Sequence, residues 1–181
     1  MRSHRRANDT LIEALRVATR EAHSRVDALF GASDFTADAG YIRFLTAQGA
    51  AWETLRPILS EASRGRADAL REDMAALGQA VPQALPHTGL PSSDSIGLRY
   101  VLEGSRLGST VLLRRLEDNG SKAALTASNY LRRSADVGPW KQLSTLLQTD
   151  CDGVDRIAGI NKDALFVFGL FESAWRATDS A

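Results

Sequence analysis

Apolar residues return at helical intervals along nearly the whole of this chain, and that periodicity limits the folds open to it. Leu11, Ile12, Leu15, Ala18, Ala22, Val26, Leu29 and Phe30 follow one another at steps of three and four, which puts them on one stripe of a helix. Asp9 or Thr10 can cap that helix, and Gly31 stands where a stop is expected. A second helix is predicted from about 37 to 60, with Tyr41, Phe44, Leu45, Gln48, Trp52, Leu55 and Leu59 inward and Pro57 set to kink or end it. A third, weaker pattern covers 64–77, with Ala67, Leu70, Met74 and Leu77 inward. The connector 78–93 carries Pro82, Pro86, Gly89 and Pro91, and irregular stretches of that length are commonly functional or mobile. A long fourth helix starts at Ser93 or Asp94 and reaches about Glu117, before the turn signal Asn119-Gly120.

Further helices are expected over 122–132, from Pro139 to about Cys151, and over 154–176, the last with Ile157, Ile160, Leu165, Phe168, Phe171 and Trp175 inward. No segment alternates with period two for long enough to make a strand. The reading is an all-α single domain of six to eight helices over 10–176, between flexible tails at 1–9 and 177–181.

The 181 residues suffice for one buried core. Twenty-two basic side chains balance twenty-two acidic ones, which argues against a broad nucleic-acid surface. The lone Cys151 makes no internal disulfide, and Asp150 and Asp152 beside it disfavour a reactive thiolate. No apolar run approaches the length needed to cross a bilayer, and the basic start Met1–Arg6 has no apolar segment behind it. A cytoplasmic protein without membrane attachment is expected.

Of three histidines, His4 lies in the basic tail and His87 in the proline-rich connector. His23 alone falls within a strong amphipathic helix, four residues after Thr19 and seven before Phe30, at the border of the buried stripe. An imidazole there needs partners for both ring nitrogens. A metal ion can take one, with a hydrogen bond orienting the other, or the ring can be a core histidine satisfied by hydrogen bonds alone.

The fourth helix carries Gly97, Gly104 and Gly108, whose intervals of seven and four bring them near one face. Each costs a helix interior roughly 1 kcal/mol relative to alanine. Three on one face imply that something approaches the backbone closely: a neighbouring helix, or a flat ligand lying against it. An inward histidine and a glycine-faced helix together suit a haem held between them, whose carboxylates would need cations at the rim. Arg16 lies two turns before His23, Arg99 and Tyr100 about one turn before Gly104, and Lys141 opens a later helix; each can equally be a solvated surface group.

At two places the chain resembles the haem oxygenases, in particular the bacterial biliverdin-producing type. Leu15-Arg16-Val17-Ala18-Thr19-Arg20-Glu21-Ala22-His23-Ser24-Arg25-Val26-Asp27 is similar to that family's proximal helix, in which the histidine binds iron. Tyr100-Val101-Leu102-Glu103-Gly104-Ser105-Arg106-Leu107-Gly108-Ser109 is similar to its distal helix. The resemblance runs from about Thr10 to Trp175 with helix order intact. It implies His23 as the metal ligand, and Gly104, Ser105 and Gly108 on the catalytic distal side. It further implies Arg16, Thr19, Arg99, Tyr100, Gly104, Gly108 and Lys141 as haem-binding positions. Two departures stand out: Ser109 replaces a second glycine common in the family, and Ser105 takes the place of an aspartate found in the mammalian-type branch.

What the resemblance implies about function is oxidative cleavage of haem, as both substrate and cofactor, to biliverdin, carbon monoxide and ferrous iron, with O2 consumed. No flavin or nicotinamide fingerprint is present, so electrons would come from a separate donor such as a ferredoxin or flavoprotein reductase. A phytochrome-type protein could accept the biliverdin. The alternative is a haem-binding protein of the same fold that senses, stores or carries haem without turnover, and a third reading is an all-α domain with a different ligand.

Overall fold

The structure is a computed structural model in which residues 10–148 and 154–179 are described. Cys151, His4, the whole expected N-terminal tail and the last two residues of the expected C-terminal tail lie outside these residues. Eight α-helices follow one another among them: α1 Leu11–Gly31, α2 Asp38–Leu55, α3 Glu61–Ala76, α4 Ile96–Asn119, α5 Lys122–Thr126, α6 Asn129–Ser134, α7 Gly138–Leu146 and α8 Val154–Ala177. There is no β-strand among the described residues, and the all-α class stands.

Local chemistry sets the helix ends. At the start of α1 the Glu13 carboxylate accepts from the Thr10 amide at 2.9 Å and from its hydroxyl at 3.1 Å. Pro57 ends α2, and the chain continues as a single 3-10 turn over Arg56–Ile58. Ser95 caps α4 by accepting from the Leu98 amide, and its hydroxyl donates to Asp163 on α8 at 2.5 Å. The region 122–132 is not one helix: it breaks after Thr126 and restarts as α6. There the buried carboxylate of Asp73, on α3, accepts from the amides of Asn129 and Tyr130 at 3.0 and 2.7 Å. A distant residue thus supplies the cap, and nothing in the local sequence marks it.

Helix α8 is the hub, packing against α1, α2 and α4, while α3 packs on α6. The core between them holds Trp52, Tyr41, Phe44, Leu45, Leu55, Leu131 and Val167, all essentially inaccessible. Two residues expected inward are not. Ala18 is exposed because Thr19 takes the buried place in that turn, its hydroxyl donating back to the Leu15 carbonyl at 2.8 Å. Leu165 is 42% exposed because its neighbour Ala164 faces α4.

The connector after α3 is packed down: the Leu85 amide donates to Thr54 on α2 at 2.8 Å, and Pro82 lies against Gly49. None of its residues reaches the cavity described next, and His87 is exposed on it. No helix among the described residues is long and apolar enough to cross a membrane.

Candidate functional site

Helices α1 and α4 both lean on α8, and between them lies a cavity of about 710 Å³. Its floor is Phe168 and Phe171 of α8, with Phe44, Gln48 and Tyr130 at the deep end. His23 enters from the α1 side. Its ring centroid is 5.5 Å from that of Phe168, and its Nε2 is 3.4 Å from Asp27 Oδ2 one turn along the helix. With 58% of its side chain accessible, His23 is not a core histidine; it borders open space.

The opposite wall is α4, and its glycines divide by function. A Cβ on Gly97 would lie 2.7 Å from the Ala164 amide nitrogen and closer still to the Ile160 carbonyl oxygen, so this glycine serves helix packing against α8. Gly104 and Gly108 line the cavity. A Cβ on Gly104 would make ordinary contact with Trp140 at 3.5 Å, and one on Gly108 would meet nothing within 4 Å. The packing explanation therefore holds for Gly97, while Gly104 and Gly108 border open space on the same helix.

Arg16, Thr19 and Tyr100 line the same cavity, as do Ser105 and Ser109. Arg99 and Lys141 are not among the residues that line it. The cavity-facing stripe of α4 runs Tyr100, Gly104, Leu107, Gly108, Val111, and Arg99 is turned about 100° from it. On α7 the facing position belongs to Trp140, whose ring is 5.8 Å from that of Tyr100, and Lys141 is one residue too far round. Arg20 is the second cation at the rim, one turn after Arg16 on α1.

Two polar networks back this site. Trp52 Nε1 donates to the Tyr130 hydroxyl at 3.0 Å, which donates to Gln48 Oε1 at 2.7 Å. Behind α4, the guanidinium of Arg66 reaches Ser105 Oγ at 3.0 Å. Ser109, in contrast, turns its hydroxyl along its own helix to the Ser105 carbonyl at 3.1 Å. Gln48 had a signal in the sequence, as a polar residue within the inner stripe of α2; Arg66, among several arginines of α3, had none.

No family model matches the chain. It is 31% identical over 117 residues to the haem oxygenase PigA of Pseudomonas aeruginosa, a match covering 57% of this chain and 59% of that one. It is 33% identical over 100 residues to a haem oxygenase of Xanthomonas campestris pv. campestris, covering 53% and 61%. The matches thus span about three fifths of the length of these curated relatives. Among solved structures it is similar to the NO- and CO-bound haem oxygenase of Neisseria meningitidis, with a TM-score of 0.65 and 22% identity over 94% of this chain and 92% of that one. That likeness concerns the fold. The chain is thus similar in sequence to two bacterial haem oxygenases over part of its length, and it shares the all-α fold of a third.

Proposed function

We propose that the chain binds haem between α1 and α4, with His23 as the protein ligand to iron, and cleaves it oxidatively to biliverdin, carbon monoxide and ferrous iron. The observation that carries this reading is a single imidazole facing a glycine wall across one apolar-floored cavity. A volume of about 710 Å³ lies within the range of small-molecule and cofactor sites, roughly 300–1,000 Å³. The donor set also fits: a lone imidazole lining the cavity would be the protein ligand to the iron, whose chemistry with O2 the bound haem would supply.

Haem, as the substrate, supplies the iron on which O2 is reduced and the ring that is opened. The protein's tasks are physical. His23 would hold the iron, and Asp27, whose Oδ2 lies 3.4 Å from His23 Nε2, would orient the ring with Nδ1 left as the ligand. Phe168 and Phe171 exclude water beneath the ring. Arg16 and Arg20 meet the haem carboxylates at the rim and so fix the rotation of the ring in its slot. Gly104 and Gly108 let the α4 backbone close over the distal face, which crowds a small ligand towards the ring edge. Ser105 offers a hydroxyl on that side, where protons must be delivered.

Electrons come from an external donor such as a ferredoxin or a flavoprotein reductase, and the setting is cytoplasmic. A phytochrome-type acceptor is a fitting consumer of the biliverdin. The test is to load purified protein with ferric haem, add a ferredoxin system or ascorbate, and follow the spectrum. Loss of the Soret band with growth of biliverdin absorbance is expected. A haem complex that persists unchanged contradicts the reading and leaves a haem carrier.

A further inference from the structure

Arg66 is buried where a cation is costly. Only 2% of it is exposed, its guanidinium carbon lies 4.7 Å from the centre of the Trp52 ring, and its hydrogen bonds go to neutral oxygens. Nε donates to Ser134 Oγ at 3.0 Å, one terminal nitrogen to the Leu102 carbonyl at 2.7 Å, and the other to Ser105 Oγ at 3.0 Å. The buried carboxylates around it are committed elsewhere: Glu103 is paired with Arg106, and Asp73 caps α6. A positive charge with no carboxylate in direct contact therefore sits beneath the α4 wall.

Its contact with Ser105 has a specific consequence. Because Arg66 donates to Ser105 Oγ, the serine's own proton must point elsewhere, and it goes to the Leu102 carbonyl at 2.8 Å. That carbonyl already accepts from Arg66, so the hydroxyl can swing away without leaving a buried oxygen unpaired. The free direction is the cavity, which Ser105 lines. A hydroxyl that accepts from a guanidinium is polarised into a better donor.

We propose that Arg66 is a positioning residue that turns and polarises Ser105, so that its hydroxyl donates to a small anionic ligand held on the α4 side of the bound haem. The site thereby favours anions and partly reduced oxygen species over neutral diatomic ligands. This inference rests on haem occupying the cavity.

The experiment is equilibrium titration of the ferric haem complex with fluoride and azide, and of the ferrous complex with carbon monoxide. Wild type, Ser105→Ala, Arg66→Met and Arg66→Lys are compared, with haem affinity and circular dichroism recorded for each. Ser105→Ala, which leaves the buried guanidinium in place, is expected to weaken fluoride and azide about tenfold and to change carbon monoxide affinity less than twofold. Arg66→Met should show the same selective loss, and Arg66→Lys should recover part of it. Unchanged fluoride and azide affinity in a Ser105→Ala protein that binds haem normally overturns the relay alone. Failure of the wild-type protein to bind haem overturns the proposed function together with it.

Discussion

Gly97 on α4 lies against Ile160 on α8 so closely that any side chain there would run into the Ile160 carbonyl oxygen, whereas Gly108 on the same helix faces open space. Gly97→Ala should therefore overpack the α4–α8 contact and destabilise the protein by about 1–3 kcal/mol. Gly108→Ala should leave the apo protein as stable or up to about 1 kcal/mol more so, since alanine is the better helix former. Chemical denaturation of the two variants checks the contrast, and equal destabilisation would contradict it.

Filling the cavity rather than the packing contact should separate binding from folding. Gly108→Leu places a side chain where a bound ring is expected, at a position whose Cβ meets nothing within 4 Å. Its unfolding midpoint should stay within the range of Gly108→Ala, and its haem affinity should fall at least tenfold. Calorimetry and a Soret titration on the same preparation decide this.

The rim cations should contribute little singly and more together. Arg16 and Arg20 are exposed, so each pair with a haem carboxylate is worth about 0–1 kcal/mol. Arg16→Gln with Arg20→Gln should weaken haem binding severalfold, more at low than at high salt. Arg99→Gln and Lys141→Gln should leave it unchanged, because neither side chain lines the cavity.

Away from the site, Glu53 should give the fold a pH dependence. Burial acts to raise its carboxyl, but the guanidiniums of Arg71 and Arg56 outweigh this and hold it below the ordinary glutamate value. A depressed folded-state pKa means stability that is present above the unfolded value and lost as pH falls through the folded one. Glu53→Gln should cost about 1–3 kcal/mol at pH 7, with the difference from wild type shrinking in acid. A constant difference across that range would contradict the assignment.

How much of this was legible in the sequence depended on whether the signal was local. His23 and the cavity-facing stripe of α4 follow from helical spacing, and so does the place where Pro57 ends α2. Arg99 and Lys141 lie outside the cavity lining because each is one residue, about 100° of helix, from the neighbour that does face the cavity. The break between α5 and α6 is fixed by Asp73, more than fifty residues earlier in the chain, so no window of local sequence contains it. Gly97 and Gly108 are indistinguishable as letters; only the position of α8 tells a packing glycine from a cavity glycine. Arg66 reads as one more surface arginine of α3 until the fold closes over it.

The central claim is that His23 holds the iron of a haem bound between α1 and α4, and the most direct measurement is the electronic and electron paramagnetic resonance spectrum of the ferric complex in wild type and His23→Ala. The account predicts a single-histidine haem spectrum in wild type. In His23→Ala that signature is lost, and it returns when imidazole is added to fill the vacated position. Identical spectra and haem affinity in the two proteins would show that iron is held elsewhere and would contradict the account.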